Sequence, residues 1–126
     1  MNVLKAMLMA GAGGFVGTCL RYLVGVCVKQ WCVSTFPLGT FIVNIVGCFV
    51  IGIVFALSER AGVLSSNHVL LLATGFCGGF TTFSAFANEA WMLGAKGDMT
   101  MSFLYIVASV ALGILAVWCG RTLICH

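Results

Sequence analysis

The chain has 126 residues, of which 62% are hydrophobic and only 7% are charged. A soluble domain usually carries about 25% charged residues, so a chain this poor in charge must face lipid instead of water. Its net charge of +3 comes from single basic residues spread along the chain, which excludes a nucleic-acid-binding patch. None of the seven cysteines shows the two-residue spacing of zinc or redox sites, so we interpret them as small apolar residues.

Four apolar segments are each long enough to cross a bilayer, which takes about 20 residues. They cover approximately residues 6–28, 38–57, 68–93 and 101–124, and short polar segments separate them. A backbone in hydrocarbon must satisfy its own hydrogen bonds, which favours helices. We therefore predict an all-α, multi-pass membrane protein with a single four-helix domain, 1–126.

The basic residues are divided almost evenly between the two sides of these spans. Those on the side of the termini are Lys5, Arg60 and Arg121, and those on the other side are Lys29, Lys96 and, at greater depth, Arg21. The positive-inside rule needs an asymmetry to fix an orientation. We therefore predict that the chain inserts in both orientations, which allows an antiparallel homodimer.

The third segment has poor helix formers near its middle, where Gly78 and Gly79 are followed by Thr81 and Thr82. We predict a broken helix here. A break at this depth survives only where protein or water satisfies the freed backbone, and loose carbonyls at such breaks bind cations. The alternative is a small-residue face that lets another helix approach closely. The sequence leaves both interpretations open.

Several side chains on the spans could meet an anion without a fixed positive charge. Phe83 and Phe86 share a helix face, where they could contact lipid or core, or turn their ring edges, which carry partial positive charge, towards an anion. Asn44, one turn after Thr40, could donate from its amide or simply join two helices.

The fourth segment carries a stripe at helical spacing, formed by Ser102, Tyr105, Ser109 and Gly113. Its hydroxyls could donate to an anion, or Ser102 and Tyr105 could be interfacial anchors. Arg21 and Glu89 are the charges nearest membrane depth. For Arg21 the choice is between an electrostatic attractor and a structural role, and for Glu89 between a wet vestibule and an ion pair.

Three motifs, in order and over essentially the whole chain, resemble the Fluc (CrcB) family of fluoride channels. They are Gly13-Gly14-x-x-Gly17-x-x-x-Arg21-Tyr22, Gly39-Thr40-x-x-x-Asn44-x-x-Gly47 and Gly75-Phe76-x-Gly78-Gly79-x-Thr81-Thr82-Phe83-Ser84-x-Phe86. The third motif is the most specific, whereas the first is glycine-rich and weak alone.

The resemblance implies a fluoride-selective channel, built as a dual-topology antiparallel homodimer with two pores. Such channels let cytoplasmic fluoride leave a bacterial cell passively through the inner membrane. The pore residues that the resemblance implies are Phe83, Phe86 and Asn44, with Thr40, Tyr105, Ser109 and, in the vestibule, Ser84. It also implies a structural sodium ion at the dimer interface, bound by the backbone carbonyls of Gly78 and Thr81. The expected partners are a second copy of the chain, fluoride and lipid, with no organic cofactor.

Two other classes of protein compete with this interpretation. A proton-coupled exporter of the small multidrug type also has four spans, but it needs a titratable carboxylate at the midplane, for which Glu89 is the only candidate. Removing Glu89 would abolish transport in that case. A non-transporting scaffold would show no ion flux and no effect of changing Phe83 or Phe86. No hydrolytic or redox constellation is found, so we do not expect an enzyme.

Overall fold

The computed structural model describes residues 2–60 and 63–125, so Met1 and His126, the ends of the predicted domain 1–126, lie outside the described residues. Its regular elements are α1 (Val3–Trp31), α2 (Leu38–Glu59), α3 (Ser66–Val69), a π-helical segment (Leu70–Cys77), α4 (Gly78–Phe80), α5 (Phe83–Ala95) and α6 (Met99–Cys125). All regular structure in the described residues is helical.

Four stretches of helix are long and apolar enough to cross a membrane, which confirms that part of the prediction. They are α1, α2, the stretch Ser66–Ala95 and α6. The helices are longer than the predicted apolar segments, because the residues that flank those segments, several of them polar, are also helical. For example, α1 begins at Val3, where the side chain of Asn2 accepts a hydrogen bond from Leu4 N–H. Its 29 residues would measure about 44 Å, longer than a hydrocarbon core of about 30 Å.

The connections between spans follow local backbone chemistry. The single proline of the chain, Pro37, lies directly before α2, where its missing N–H disturbs no helical hydrogen bond. Before α6, Gly97 has a φ of +91°, a conformation that side chains disfavour, and it turns the chain back towards the bilayer. Asp98 then caps α6 by accepting a hydrogen bond from Met101 N–H at 3.1 Å.

The helices pack in two main groups. Helix α2 packs chiefly along α6, and α1 packs chiefly along the π-helical segment and α4. In the contact between α1 and the third span, backbone lies directly against backbone. A Cβ atom on Gly17 would collide with the Phe76 carbonyl oxygen and lie 2.8 Å from Phe80 N. Glycine in α1 therefore brings this helix directly against the middle of the third span.

Within the third span, the backbone leaves helical geometry for two residues. Helix α4 ends at Phe80, Thr81 has φ −91° and ψ 160°, Thr82 has φ −150° and ψ 119°, and α5 begins at Phe83. We call Thr81 and Thr82 the extended pair. Because two extended residues redirect hydrogen bonds that a helix would keep, the surroundings of this pair define the candidate site.

Candidate functional site

The extended pair is held from one side by Asn44 of α2. The Asn44 amide nitrogen donates to the Thr82 carbonyl at 3.1 Å, and Thr82 N–H donates to Asn44 Oδ1 at 2.8 Å. Asn44 thus pairs with Thr82 as a neighbouring strand would. The structure favours the joining role among the two considered for Asn44, although one amide hydrogen is left over for another acceptor.

On the other side of the third span, α1 reaches the backbone through Arg21. Arg21 Nε donates to the carbonyl oxygen of Gly79 at 3.0 Å. Neither Arg21 nor Glu89 forms an ion pair within residues 2–60 and 63–125, where the salt bridge present joins Arg121 to Glu59. Arg21 is therefore engaged with the main chain at a position two residues before the extended pair.

The carbonyls of Gly78 and Thr81 are among those that lose their helical donors at this point. Thr82 N–H, which an unbroken α-helix would direct to the Gly78 carbonyl, donates to Asn44 instead. Ala85 N–H, the helical donor for the Thr81 carbonyl, donates to Thr82 Oγ1 at 3.2 Å and so caps α5. These are the two carbonyls to which the family resemblance assigns sodium.

An open cavity of about 360 Å³, which we call the central cavity, lies beside the extended pair. It brings together six of the residues predicted from the sequence. They are Asn44, Gly78, Thr81, Phe83, Phe86 and Ser109. Most of its other lining side chains are apolar, and within the described part of the chain no charged side chain lines it.

The two phenylalanines of the central cavity are in mutual contact but differ in exposure. Their ring centroids are 5.7 Å apart at an interplanar angle of 50°. Phe86 is 9% exposed and packs on Tyr105, whereas Phe83 is 78% exposed. Across the cavity, Ser109 Oγ is buried and has no hydrogen-bond partner in the described residues. Its hydroxyl is therefore a donor without an acceptor.

A second cavity of about 380 Å³, which we call the vestibule cavity, lies on the other side of Thr82. Arg21, Thr40, Thr82 and Glu89 are among its lining residues. The Glu89 carboxylate accepts hydrogen bonds from Thr40 Oγ1 at 2.9 Å and from the Tyr105 hydroxyl at 3.1 Å. Two hydroxyls thus converge on one carboxylate.

Tyr105 is fully buried, so it is not an interfacial anchor in this chain. Its ring lies among Phe36, Phe41 and Phe86, and only its hydroxyl reaches Glu89. The structure therefore places the hydroxyls of Thr40 and Tyr105 on the Glu89 carboxylate, while the Tyr105 ring contacts Phe86 of the central cavity.

Other members of the predicted polar set lie elsewhere. The Ser102 hydroxyl donates to the Ala90 carbonyl at 2.7 Å, which joins α6 to α5. Ser84 is exposed, and its hydroxyl lies 3.4 Å from Thr82 Oγ1. The glycines of the third span divide between two roles. Gly79 packs against Gly14 of α1, whereas Gly78 is exposed on the central cavity.

Thr82, predicted from the sequence only as one of the poor helix formers of the third span, is central in the structure. Its backbone pairs with Asn44, its side chain caps α5, and it borders both cavities. The capping signal was present, since threonine directly before a helical run is a preferred N-cap. The free cysteines Cys48 and Cys77 also line the central cavity. No group of three or more histidine, cysteine, aspartate or glutamate side chains that could hold a metal ion is found among the described residues.

The fold and these two cavities define a multi-pass helical membrane protein with a polar interruption inside one span. A family model described as "CrcB-like protein, Camphor Resistance (CrcB)" matches residues 8–121. The chain belongs to this CrcB family, which confirms the resemblance inferred from its three motifs.

Curated relatives match nearly the whole chain and carry the name fluoride-specific ion channel FluC. That of Chlorobium phaeobacteroides (strain BS1) is 46% identical over 118 residues, which cover 94% of this chain and 91% of the relative. That of Flavobacterium psychrophilum is 41% identical over 117 residues, with coverage of 93% and 94%. That of Rhizobium johnstonii is 47% identical over 118 residues, with coverage of 94% in both chains.

Proposed function

We propose that this chain is the subunit of a fluoride-selective channel that lets cytoplasmic fluoride leave the cell passively, and not an enzyme. Family membership and the names of its relatives support the ion that is transported. The observation that carries the proposal for this chain is the central cavity. It gathers Phe83, Phe86, Asn44 and Ser109, which approach from three different spans.

The chemistry of the central cavity suits a small anion that must also leave. The ring edges of Phe83 and Phe86 carry partial positive charge, Ser109 has an unused hydroxyl donor, and Asn44 keeps one amide hydrogen. Within the described residues no lysine or arginine lines this cavity. A fixed cation would bind the ion too tightly for conduction, so weak donors favour passage.

The vestibule cavity supplies the approach to this path. Arg21 and Glu89 line it, and Thr40 and Tyr105 donate to the Glu89 carboxylate. Ser84 is exposed in the first turn of α5, where the helix dipole is positive and favours an anion. We assign Arg21, Thr40, Glu89 and Ser84 to the wet end of the pore, and the buried Tyr105 to holding the Glu89 carboxylate.

The carbonyl oxygens of the third span also suit the sodium ion that the family resemblance implies. Sodium takes oxygen ligands, and unwound carbonyls inside membrane spans are suited to it. The Gly78 and Thr81 carbonyls are released from helical hydrogen bonds, and both residues line the open central cavity. Two carbonyls from one chain leave a cation under-coordinated. A second copy related by an axis through this point would supply two more.

An antiparallel homodimer in the bacterial inner membrane completes this proposal. Phe83 is 78% exposed beside an open cavity, so a second copy could enclose what one chain leaves open. The balanced basic residues on the two sides of the spans support insertion in both orientations. The remaining exposed apolar surface faces lipid.

Fluoride efflux from liposomes that contain the purified protein tests the proposal, with chloride efflux as the paired control. We expect fast fluoride release without chloride release, and a loss of at least ten-fold for Phe83→Ile and Phe86→Ile, because about 1.4 kcal/mol of lost anion stabilisation is ten-fold. Phe15→Ile, on the exposed face of α1, is the matched control and should conduct normally. No flux, or equal flux of both ions, would refute the fluoride channel.

The exporter alternative is not favoured. Its mechanism needs a carboxylate that binds and releases protons in a midplane cavity. Glu89 instead accepts hydrogen bonds from two hydroxyls at the vestibule end of the third span. The curated relatives are named as channels, which agrees with this observation.

A further inference from the structure

We propose that Arg21 is a positioning residue, which fixes the geometry of the extended pair by holding the Gly79 carbonyl through its Nε atom. This inference rests on the proposed function, because it concerns the residues that shape the central cavity. It differs from the electrostatic role considered for Arg21, in which the positive charge attracts anions. The two roles require different atoms of the same side chain.

Arg21 is the last member of a row on α1 that follows the third span. Gly13, Gly17 and Arg21 are spaced by four residues and share one helix face. A Cβ atom on Gly13 would lie 2.8 Å from Phe76 N, and one on Gly17 would lie 2.8 Å from Phe80 N. The two glycines bring the backbone of α1 against residues Phe76 and Phe80 of the third span. One turn later, Arg21 adds a hydrogen bond to the carbonyl of Gly79 in the same stretch.

Arg21 of α1 and Asn44 of α2 each bind one backbone carbonyl close to the extended pair. Arg21 donates to the Gly79 carbonyl and Asn44 to the Thr82 carbonyl. The carbonyls of Gly78 and Thr81, which precede these two, have lost their helical donors. Arg21 thus binds the carbonyl that follows Gly78 and precedes the extended pair, and both Gly78 and Thr81 line the central cavity. We infer that Arg21 fixes the position of these residues along the cavity.

The choice of Nε as donor makes the two roles separable by substitution. Glutamine places its Nε2 atom the same number of bonds from the backbone as Arg Nε, so Arg21→Gln keeps the donor and removes the charge. Arg21→Lys keeps the charge but puts a methylene group where Nε was. Arg21→Met removes both. The positioning role ranks Gln above Lys and Met, whereas the attractor role ranks Lys above Gln and Met.

Hydrogen–deuterium exchange of the purified protein measures the geometry without any ion flux. We expect Arg21→Lys and Arg21→Met to speed exchange of the peptide that contains residues 78–85 by about three- to ten-fold, the effect of losing one hydrogen bond. Arg21→Gln should exchange like the unsubstituted protein. Arg60→Met is the matched control, since Arg60 donates to the Ile124 carbonyl at 3.3 Å, at the other end of α2 from this site.

Fluoride efflux from liposomes gives the second comparison. We expect Arg21→Gln to retain most of the flux and Arg21→Lys and Arg21→Met to lose most of it, with Arg60→Met unaffected. The opposite order, with Lys above Gln, overturns the positioning role, as does equal exchange in all variants. If the unsubstituted protein conducts no fluoride, the proposed function fails, but the exchange data still decide the role of Arg21.

Discussion

At the scale of single residues, Asn44 is the side chain on which the local geometry most depends. It both donates to and accepts from the backbone of Thr82, which lies 38 positions later in the chain. In the hydrocarbon region of a bilayer, an N–H and a carbonyl without protein partners find no water with which to form hydrogen bonds. The extended pair therefore depends on an amide side chain, which offers a donor and an acceptor at once.

Replacing Asn44 should destabilise the protein through the backbone of Thr82. In Asn44→Ala, the Thr82 N–H and carbonyl both lose their partners, which costs about 2 kcal/mol or more. Asn44→Asp keeps an acceptor for the N–H but sets a carboxylate oxygen against the carbonyl, so we expect it to be no better. Thermal unfolding in detergent measures the loss. Asn88→Ala, at an exposed position of α5, should leave the unfolding temperature unchanged. An unaltered midpoint for Asn44→Ala would show that Thr82 finds other partners.

The sequence predicted which residues could form the site but not which groups they bind. Asn44 and Thr81 were recognisable as candidates because polar groups are costly inside an apolar span, whereas Phe83 was recognisable from the ring edge it can present and from the family motif. Which groups they bind was not predictable, since a hydrogen bond such as Arg21 to Gly79 joins residues 58 positions apart. Hydrophobic periodicity places residues on faces but carries no information about partners.

At the scale of elements, the third span departs most from a regular helix. It changes from α to π geometry at Leu70, returns to α geometry at Gly78 and becomes extended at Thr81. The four spans themselves were predictable because length and hydropathy define them. The π-helical segment Leu70–Cys77 was not, because a change from i→i+4 to i→i+5 hydrogen bonds leaves no signature in a stretch that is apolar almost throughout. Glycine contacts with α1 follow this irregular stretch.

The contact of α1 with the third span gives a prediction at this scale. Gly17→Ala should destabilise the protein by about 1–3 kcal/mol, because the new methyl group would collide with the Phe76 carbonyl oxygen. Gly11→Ala, on the same helix, meets nothing within 4 Å and should be neutral or stabilising by up to about 1 kcal/mol. Thermal unfolding of both variants measures the difference. Equal stability would mean that α1 can move away from the third span at little cost.

At the scale of the whole molecule, the ends of the spans are held by few charges. Arg121 Nη2 donates to both carboxylate oxygens of Glu59, which joins the C-terminal part of α6 to the end of α2, and Arg60 donates to the Ile124 carbonyl nearby. Acidic residues contribute little to orientation in a membrane. The balance between Lys5, Arg60 and Arg121 on one side and Lys29 and Lys96 on the other should therefore persist despite this salt bridge.

Shifting that balance should fix the orientation. In Lys29→Gln/Lys96→Gln, we expect the termini to stay in the cytoplasm, because the basic residues that remain lie mostly on their side. A C-terminal fluorescent protein should then be active and a C-terminal alkaline phosphatase inactive, whereas the unsubstituted chain should give both signals. Fluoride efflux should fall with the loss of antiparallel dimers.

Co-expression provides the decisive control for this prediction. A partner variant biased the other way, Lys5→Gln/Arg60→Gln, should restore efflux when it is produced together with Lys29→Gln/Lys96→Gln. Asp98→Asn, which keeps the cap of α6 and changes only an acidic group, should leave both reporter signals as they were. A single orientation for the unsubstituted chain would contradict the dual insertion on which the dimer depends.

The release of the Gly78 and Thr81 carbonyls has a consequence for genetics. Main-chain oxygens are present whatever residue occupies a position, so selection cannot alter these groups by exchanging side chains. In a saturation mutagenesis screen for fluoride resistance, Thr81 would tolerate some replacements that keep the backbone path. The sharpest losses would fall on residues that hold this path, such as Asn44, Gly17 and Arg21. The intolerant positions would thus be those that hold the proposed cation site in place, whereas the positions whose carbonyls we propose as ligands would tolerate substitution.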